Sequence, residues 1–153
     1  MSLKQPGNKN KIKKDGVPER TGCSSDQHPF FSFRFMTTNK AHSISFLERR
    51  TPGDQLKTLQ GLYSIMEKIS SSPWKDWGAL SKSTGYETIT YSQLNFSAPE
   101  GIHLTGDTKL FVFRFDTFRG CNNGRIIGFK DNPCAAFNII GYDFDFTAYP
   151  HGR

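Results

Sequence analysis

Phe31-Ser32-Phe33-Arg34-Phe35 and Phe111-Val112-Phe113-Arg114-Phe115 repeat one short pattern, three phenylalanines on alternate residues with an arginine between the second and third. Alternate side chains of a β-strand point to opposite faces, so each segment presents an aromatic face with its arginine on the other. The aromatic face must be buried. Two strands of one sheet, packed on an apolar layer, are expected.

Working outward from the second segment, the chain is strongly β. Residues 110–116 lead to Arg119-Gly120-Cys121-Asn122-Asn123-Gly124, whose Asn-Gly pair predicts a tight reversal. Arg125-Ile126-Ile127-Gly128-Phe129 forms the next strand. Asp131-Asn132-Pro133 turns it, and residues 136–142 return, giving a three-stranded antiparallel meander. From the first segment, a strand through Phe35 or Met36 turns at residues 37–40 and returns over residues 43–47.

Between these blocks the period changes. Thr51-Pro52-Gly53-Asp54 is a helix start: a hydroxyl for first-turn amides, proline at the first helical position and an acid for the dipole. Leu56, Leu59, Tyr63 and Met66, flanked by Leu62, Ile65 and Ile69, predict an amphipathic helix of about four turns. Ser72-Pro73 restarts a shorter helix with Trp74, Trp77 and Leu80 on one side, the tryptophans read as core anchors. Residues 85–107 are punctuated by Pro99, Gly101 and Gly106 and read either as a functional loop or as a long connection. The expected fold is α+β, an antiparallel sheet of about five strands in the order ββ-αα-βββ with two helices packed on one face.

The chain has 153 residues, 14 phenylalanines and a formal charge of +6. Residues 1–20 hold six cations against two carboxylates, so most of the excess charge sits there and little is left for a basic folded surface. Residues 1–27 read as a flexible basic arm, and residues 28–153 as one α+β domain. Three cysteines with no CxxC pair suggest neither a disulfide framework nor a zinc site. No apolar run spans a bilayer and no signal-peptide core is evident, so a cytoplasmic setting without membrane association is expected.

No phosphate loop, nucleophile elbow or metal spacing appears, and no cofactor or metal is expected. The strand register instead gathers polar groups. Arg114 lies opposite its aromatic face, Arg125 opens the next strand, Lys130 ends it, Tyr142 ends the following one, and His151 lies in the C-terminal segment. Such groups suit binding a phosphodiester and moving its protons. Arg114 equally suits a solvated ion pair with Asp116, Asp143 or Asp145. Asp143 and Asp145 share a strand face and read as an acidic sheet edge. His28, His42 and His103 read as surface residues.

Two resemblances follow. Residues 29–35, Trp74 to Trp77, Gly85-Tyr86-Glu87, Phe113-Arg114-Phe115, Arg125-Ile126-Ile127-Gly128-Phe129, and Phe137 through Asp143 to His151-Gly152 resemble a group of uncharacterised bacterial proteins, which implies no activity. The strand pair of residues 110–115 and 125–129, following two helices, resembles the RelE/HigB superfamily of bacterial toxins. That resemblance implies a small metal-independent endoribonuclease, with RNA or the ribosome and a cognate antitoxin as partners. Arg114 and Arg125 would hold the phosphate, Tyr142 and His151 would transfer protons, and Lys130 would bind substrate. The chain departs from that pattern by an extra N-terminal hairpin, the basic arm and the long middle loop. The alternative is a non-enzymatic interaction module of a mobile-element or defence operon, binding nucleic acid or a partner protein. A third reading is a homo-oligomer assembled through an exposed aromatic surface.

Overall fold

The computed structural model of the protein describes residues 27–80, 85–131 and 135–151. The basic arm falls almost wholly outside them, as do Cys23 and Cys134. Five strands form one mixed sheet in the order β1-β5-β4-β3-β2: β1 (Phe30–Ser32), β2 (Tyr86–Thr90), β3 (Lys109–Thr117), β4 (Gly120–Lys130) and β5 (Ala136–Asp143). Helices α1 (Pro52–Ser71) and α2 (Trp74–Gly78) connect β1 to β2. The α+β class holds, with the helices on one face. Two expectations are corrected: the sheet is not wholly antiparallel, and among the described residues a single strand precedes the helices.

The first aromatic segment explains both corrections. Only Phe30–Ser32 is strand, and it runs parallel to β5 with Phe31 opposite Phe137. The chain then turns, Met36 N donating to Phe33 O at 3.2 Å, and leaves Phe33 half exposed. Phe31 packs on Phe137 in the helix-side core, while Phe35 reaches Phe129 on the other face. A bend around the sheet edge therefore sends alternate rings to different cores. The expected return strand is a 3-10 helix, Ile44–Arg49, following another at Lys40–His42 whose start Asn39 caps through Ala41 N at 3.0 Å.

Helix α1 begins as its sequence dictates, with Thr51 Oγ1 accepting from Asp54 N at 3.2 Å. Its buried stripe is Thr58, Leu62 and Ile69, with Ile65 and Met66 packed against the same core; Leu56, Leu59 and Tyr63 face solvent. Gly61 brings the helix against β3, since a Cβ there would overlap the backbone carbonyl of Asp116. Trp74 and Trp77 are core residues, and their indole N–H groups donate to Ala135 O and Ile69 O.

The hairpin between β3 and β4 turns at Phe118 and Arg119, not at Asn123-Gly124. Gly124 lies within β4 opposite Phe115, where a Cβ would meet the phenyl ring at 2.5 Å. The glycine makes room for an aromatic ring, a packing demand indistinguishable in sequence from a turn demand.

Both sheet faces carry cores. Phe113, Phe115, Ile126, Phe137, Ile139 and Tyr142 pack towards the helices. Leu110, Val112, Ile127, Phe129 and Ile140 are covered on the opposite face by Phe96, Ala148 and Tyr149. The cover is residues 91–107 and the segment after β5, tied together where Asn95 N donates to Ala148 O at 2.7 Å and Asn95 Nδ2 to Thr147 O at 2.9 Å. Burial on both faces makes β5 an unbroken run of buried residues. Asp143 is accordingly wholly buried, next to β4, and the expectation of an acidic sheet edge is corrected. His42 is likewise buried, stacked on Phe96 at 4.4 Å, with Nδ1 3.2 Å from Tyr142 O.

Candidate functional site

At one end of the second face, the core gives way to charge. Strand pairing sets Arg114 of β3 directly opposite Arg125 of β4, and Arg125 opposite Asp143 of β5. Glu87, opposite Val112, is the diagonal neighbour of Arg114. Like charges facing each other across a ladder repel. Here a single carboxylate serves both: Glu87 Oε1 lies 3.5 Å from Arg114 Nη2 and 3.8 Å from Arg125 Nε.

The same oxygen accepts from the Tyr149 hydroxyl at 2.7 Å. Desolvation pushes the Glu87 carboxyl up, but the phenol and the two guanidiniums together outweigh it, and the net shift is downward. Burial and the adjoining carboxylate push the Tyr149 phenol well above its usual range, so it remains a donor. All three contacts fall on Oε1.

Arg125 is buried at 5% exposure, its Nη1 donating to Asn122 O at 2.6 Å and Gly124 O at 3.0 Å. The Nε atoms of Arg114 and Arg125 are buried without a hydrogen-bond partner among the described residues. Buried donors are ordinarily satisfied by protein, water or an ion.

His151 completes the cluster. Its Nε2 lies 3.1 Å from Asp143 Oδ2, and Asp143 Oδ1 accepts from Asp145 N and Thr147 N at 3.3 and 3.0 Å. One buried carboxylate thus folds the segment after β5 and orients the imidazole. The His151 ring packs 4.2 Å from Tyr149 and 5.0 Å from Phe146. Glu87, Thr88, Gln93, Arg114, Arg125, Phe146, Tyr149 and His151 line a cleft of about 490 Å³.

Of the expected site residues, Arg114, Arg125 and His151 come together. Tyr142 lies on the helix side of the sheet, its phenol pushed up to about 12 by burial, and does not reach the cleft. Lys130 also faces that side, its Nζ 5.3 Å from the Trp74 ring. Glu87, Tyr149 and Asp143 were not expected in these roles. The signal available for Glu87 was its alternation with Tyr86 and Ile89 in a segment of strand propensity, and for Tyr149 its position two residues before His151.

Among the described residues, no three His, Cys, Asp or Glu side chains converge on a metal position, and no helix is long and apolar enough to cross a membrane. No family model, curated protein or solved structure matches the chain.

Proposed function

We propose that the chain is a toxin-like enzyme that cleaves RNA endonucleolytically without a metal ion. The observation that carries this reading is a carboxylate held low by two facing arginines and a phenol, in one cleft with a carboxylate-oriented imidazole. These are the parts a phosphodiester transfer needs: a base, an acid and fixed positive charge where negative charge develops.

Glu87 Oε2 takes the proton of a ribose 2′-hydroxyl, and O2′ attacks the adjacent phosphorus. Arg114, the more exposed of the two guanidiniums, binds a non-bridging oxygen as the pentacovalent state forms, and buried Arg125 behind it adds fixed positive charge. As the P–O5′ bond breaks, protonated His151 gives its Nδ1 proton to O5′. The products are a 2′,3′-cyclic phosphate and a 5′-hydroxyl end. Glu87 is left protonated and His151 neutral, and exchange with water restores both.

The test is incubation of purified protein with a ribo-oligonucleotide in EDTA, with analysis of the new ends. Cyclic phosphate termini made by wild type and lost in Glu87→Gln and His151→Ala support the reading. Intact RNA, or cleavage unaffected by both substitutions, overturns it. Induction in a bacterial host gives the cellular counterpart, where the Arg114→Ala/His151→Ala double variant should relieve growth arrest and message cleavage.

One observation favours the reading of a homo-oligomer assembled through an exposed surface. Ile44, Leu56, Leu59 and Tyr63 are exposed apolar residues, and Ile44 and Leu59 share a groove with Leu47 and Gln55. Size-exclusion with light scattering on wild type and Leu59→Glu tests it: an assembly lost in the variant supports the homo-oligomer, and a monomeric wild type overturns it.

A further inference from the structure

Phe146 is an aromatic residue in neither core. It is 41% exposed at the mouth of the cleft, and its backbone has φ of +64°. A bulky side chain in the left-handed region is strained, and such positions persist where surrounding structure enforces them. The enforcement is visible. Asp143 Oδ1 accepts the amides on either side of Phe146, those of Asp145 and Thr147, and Thr147 Oγ1 donates to Asp145 Oδ1 at 2.6 Å. The buried carboxylate that orients His151 therefore also sets the strained residue.

The Phe146 ring lies 5.0 Å from the Arg125 guanidinium carbon, which sits over it, and nearly perpendicular to the His151 imidazole at 81°. A rigid ring, backed by a cation and adjoining the groups that would hold a phosphate, is equipped to stack a flat ring that carries a phosphate. We propose that Phe146 is a nucleobase platform: an unpaired base of single-stranded RNA stacks on its open side while the neighbouring phosphate reaches Arg114 and Arg125. This rests on the reading that an RNA strand occupies the cleft. A paired base cannot offer its face, so the platform selects single strands over duplex.

The experiment uses 2′-O-methyl hexanucleotides, which cannot undergo the transfer, with one abasic position moved along the strand. Fluorescence anisotropy is read for the full-length wild type, Phe146→Ala, Phe146→Trp and Phe146→Gly. One position should weaken wild-type binding by about 5- to 150-fold when its base is removed, the range of a single base–aromatic stack. Phe146→Ala should abolish that penalty, and Phe146→Trp should keep it. Phe146→Gly, free to adopt the positive φ, should fold even if the alanine variant does not, and should also lack the penalty. No binding, no penalty at any position, or a penalty that survives in the glycine variant overturns the platform. Base-dependent binding with no cleavage of the all-ribose strand would sink the ribonuclease alone. Cleavage without a base penalty would sink the platform alone.

Discussion

The Tyr149 hydroxyl and the Glu87 carboxylate, 62 residues apart in the chain, meet at 2.7 Å and join the segment after β5 to strand β2 across β3 and β4. The bond fixes the carboxylate between two arginines and holds down its proton affinity. Tyr149→Phe keeps the ring and removes the donor, a loss of about 2 kcal/mol for a hydrogen bond to a charged group. The Glu87 pKa should rise. Because a base works above its pKa, the acidic limb of the cleavage profile should move to higher pH, and the Glu87 contribution to wild-type stability, full above its ordinary value of 4.5, should be lost as pH falls from there through the depressed value. A pH–rate profile and melting curves below pH 5 check both; an unmoved acidic limb would remove Glu87 as the base.

Asp143→Asn should separate positioning from binding. The amide can still accept at Oδ1 but presents N–H groups to His151, so the imidazole loses its orienting acceptor. A fall in kcat on the order of 10²- to 10⁴-fold with little change in KM is expected. A change in KM alone would mean that His151 holds substrate and moves no proton.

Two faces of α1 provide a plain stability test. Leu62→Ala, in the buried stripe, should destabilise by about 2–5 kcal/mol. Leu56→Gln and Tyr63→Gln, both exposed, should stay within about 0.5 kcal/mol. Urea denaturation decides it. A large effect at Tyr63 would show that its ring is covered in solution.

The helix also shows where sequence reading stops. Its cap, its start and its burial against the sheet were legible, because each depends on residues within one turn. The choice between the Leu56–Leu59–Tyr63 stripe and the Thr58–Leu62–Ile69 stripe was not, since both repeat at helical spacing and only the neighbours decide. The aromatic strand at Phe111 reads correctly because both of its flanks are paired, while the similar run at Phe31 bends around an edge. The site was half legible. Arg114 and Arg125 follow from strand alternation, but Glu87 joins them through a register no local pattern encodes, and Tyr142 misses them by a single step of that alternation.

Gly61→Ala opposes two effects of known sign. Alanine favours a helix interior by about 1 kcal/mol over glycine. The added Cβ overlaps the Asp116 carbonyl, which is backbone and cannot rotate away. Overpacking of this kind costs about 1–3 kcal/mol, so net destabilisation is expected, read as a drop in Tm. A higher Tm would mean that α1 rides further from β3.

Alkaline titration probes burial on both faces at once. Tyr86 and Tyr142 are pushed up to about 12, and Tyr149 higher still, chiefly by desolvation. A phenol whose folded pKa lies above its unfolded value of 10.0 contributes fully below that value and loses its contribution as pH climbs towards the folded one. Stability should therefore decline from about pH 10 upward, and ultraviolet phenolate absorbance from these rings should appear together with unfolding.

The parallel pairing of β1 with β5 has a consequence for how the chain is made. The earliest strand has its partner more than a hundred residues downstream, Phe30 lying beside Ala136. During synthesis it must wait, unpaired, while both helices and three other strands emerge. The segment that closes the sheet is followed at once by Phe146, Tyr149 and His151. A nascent chain therefore carries both arginines and the glutamate before it carries the imidazole, and the charge cluster stays incomplete until the sheet can close.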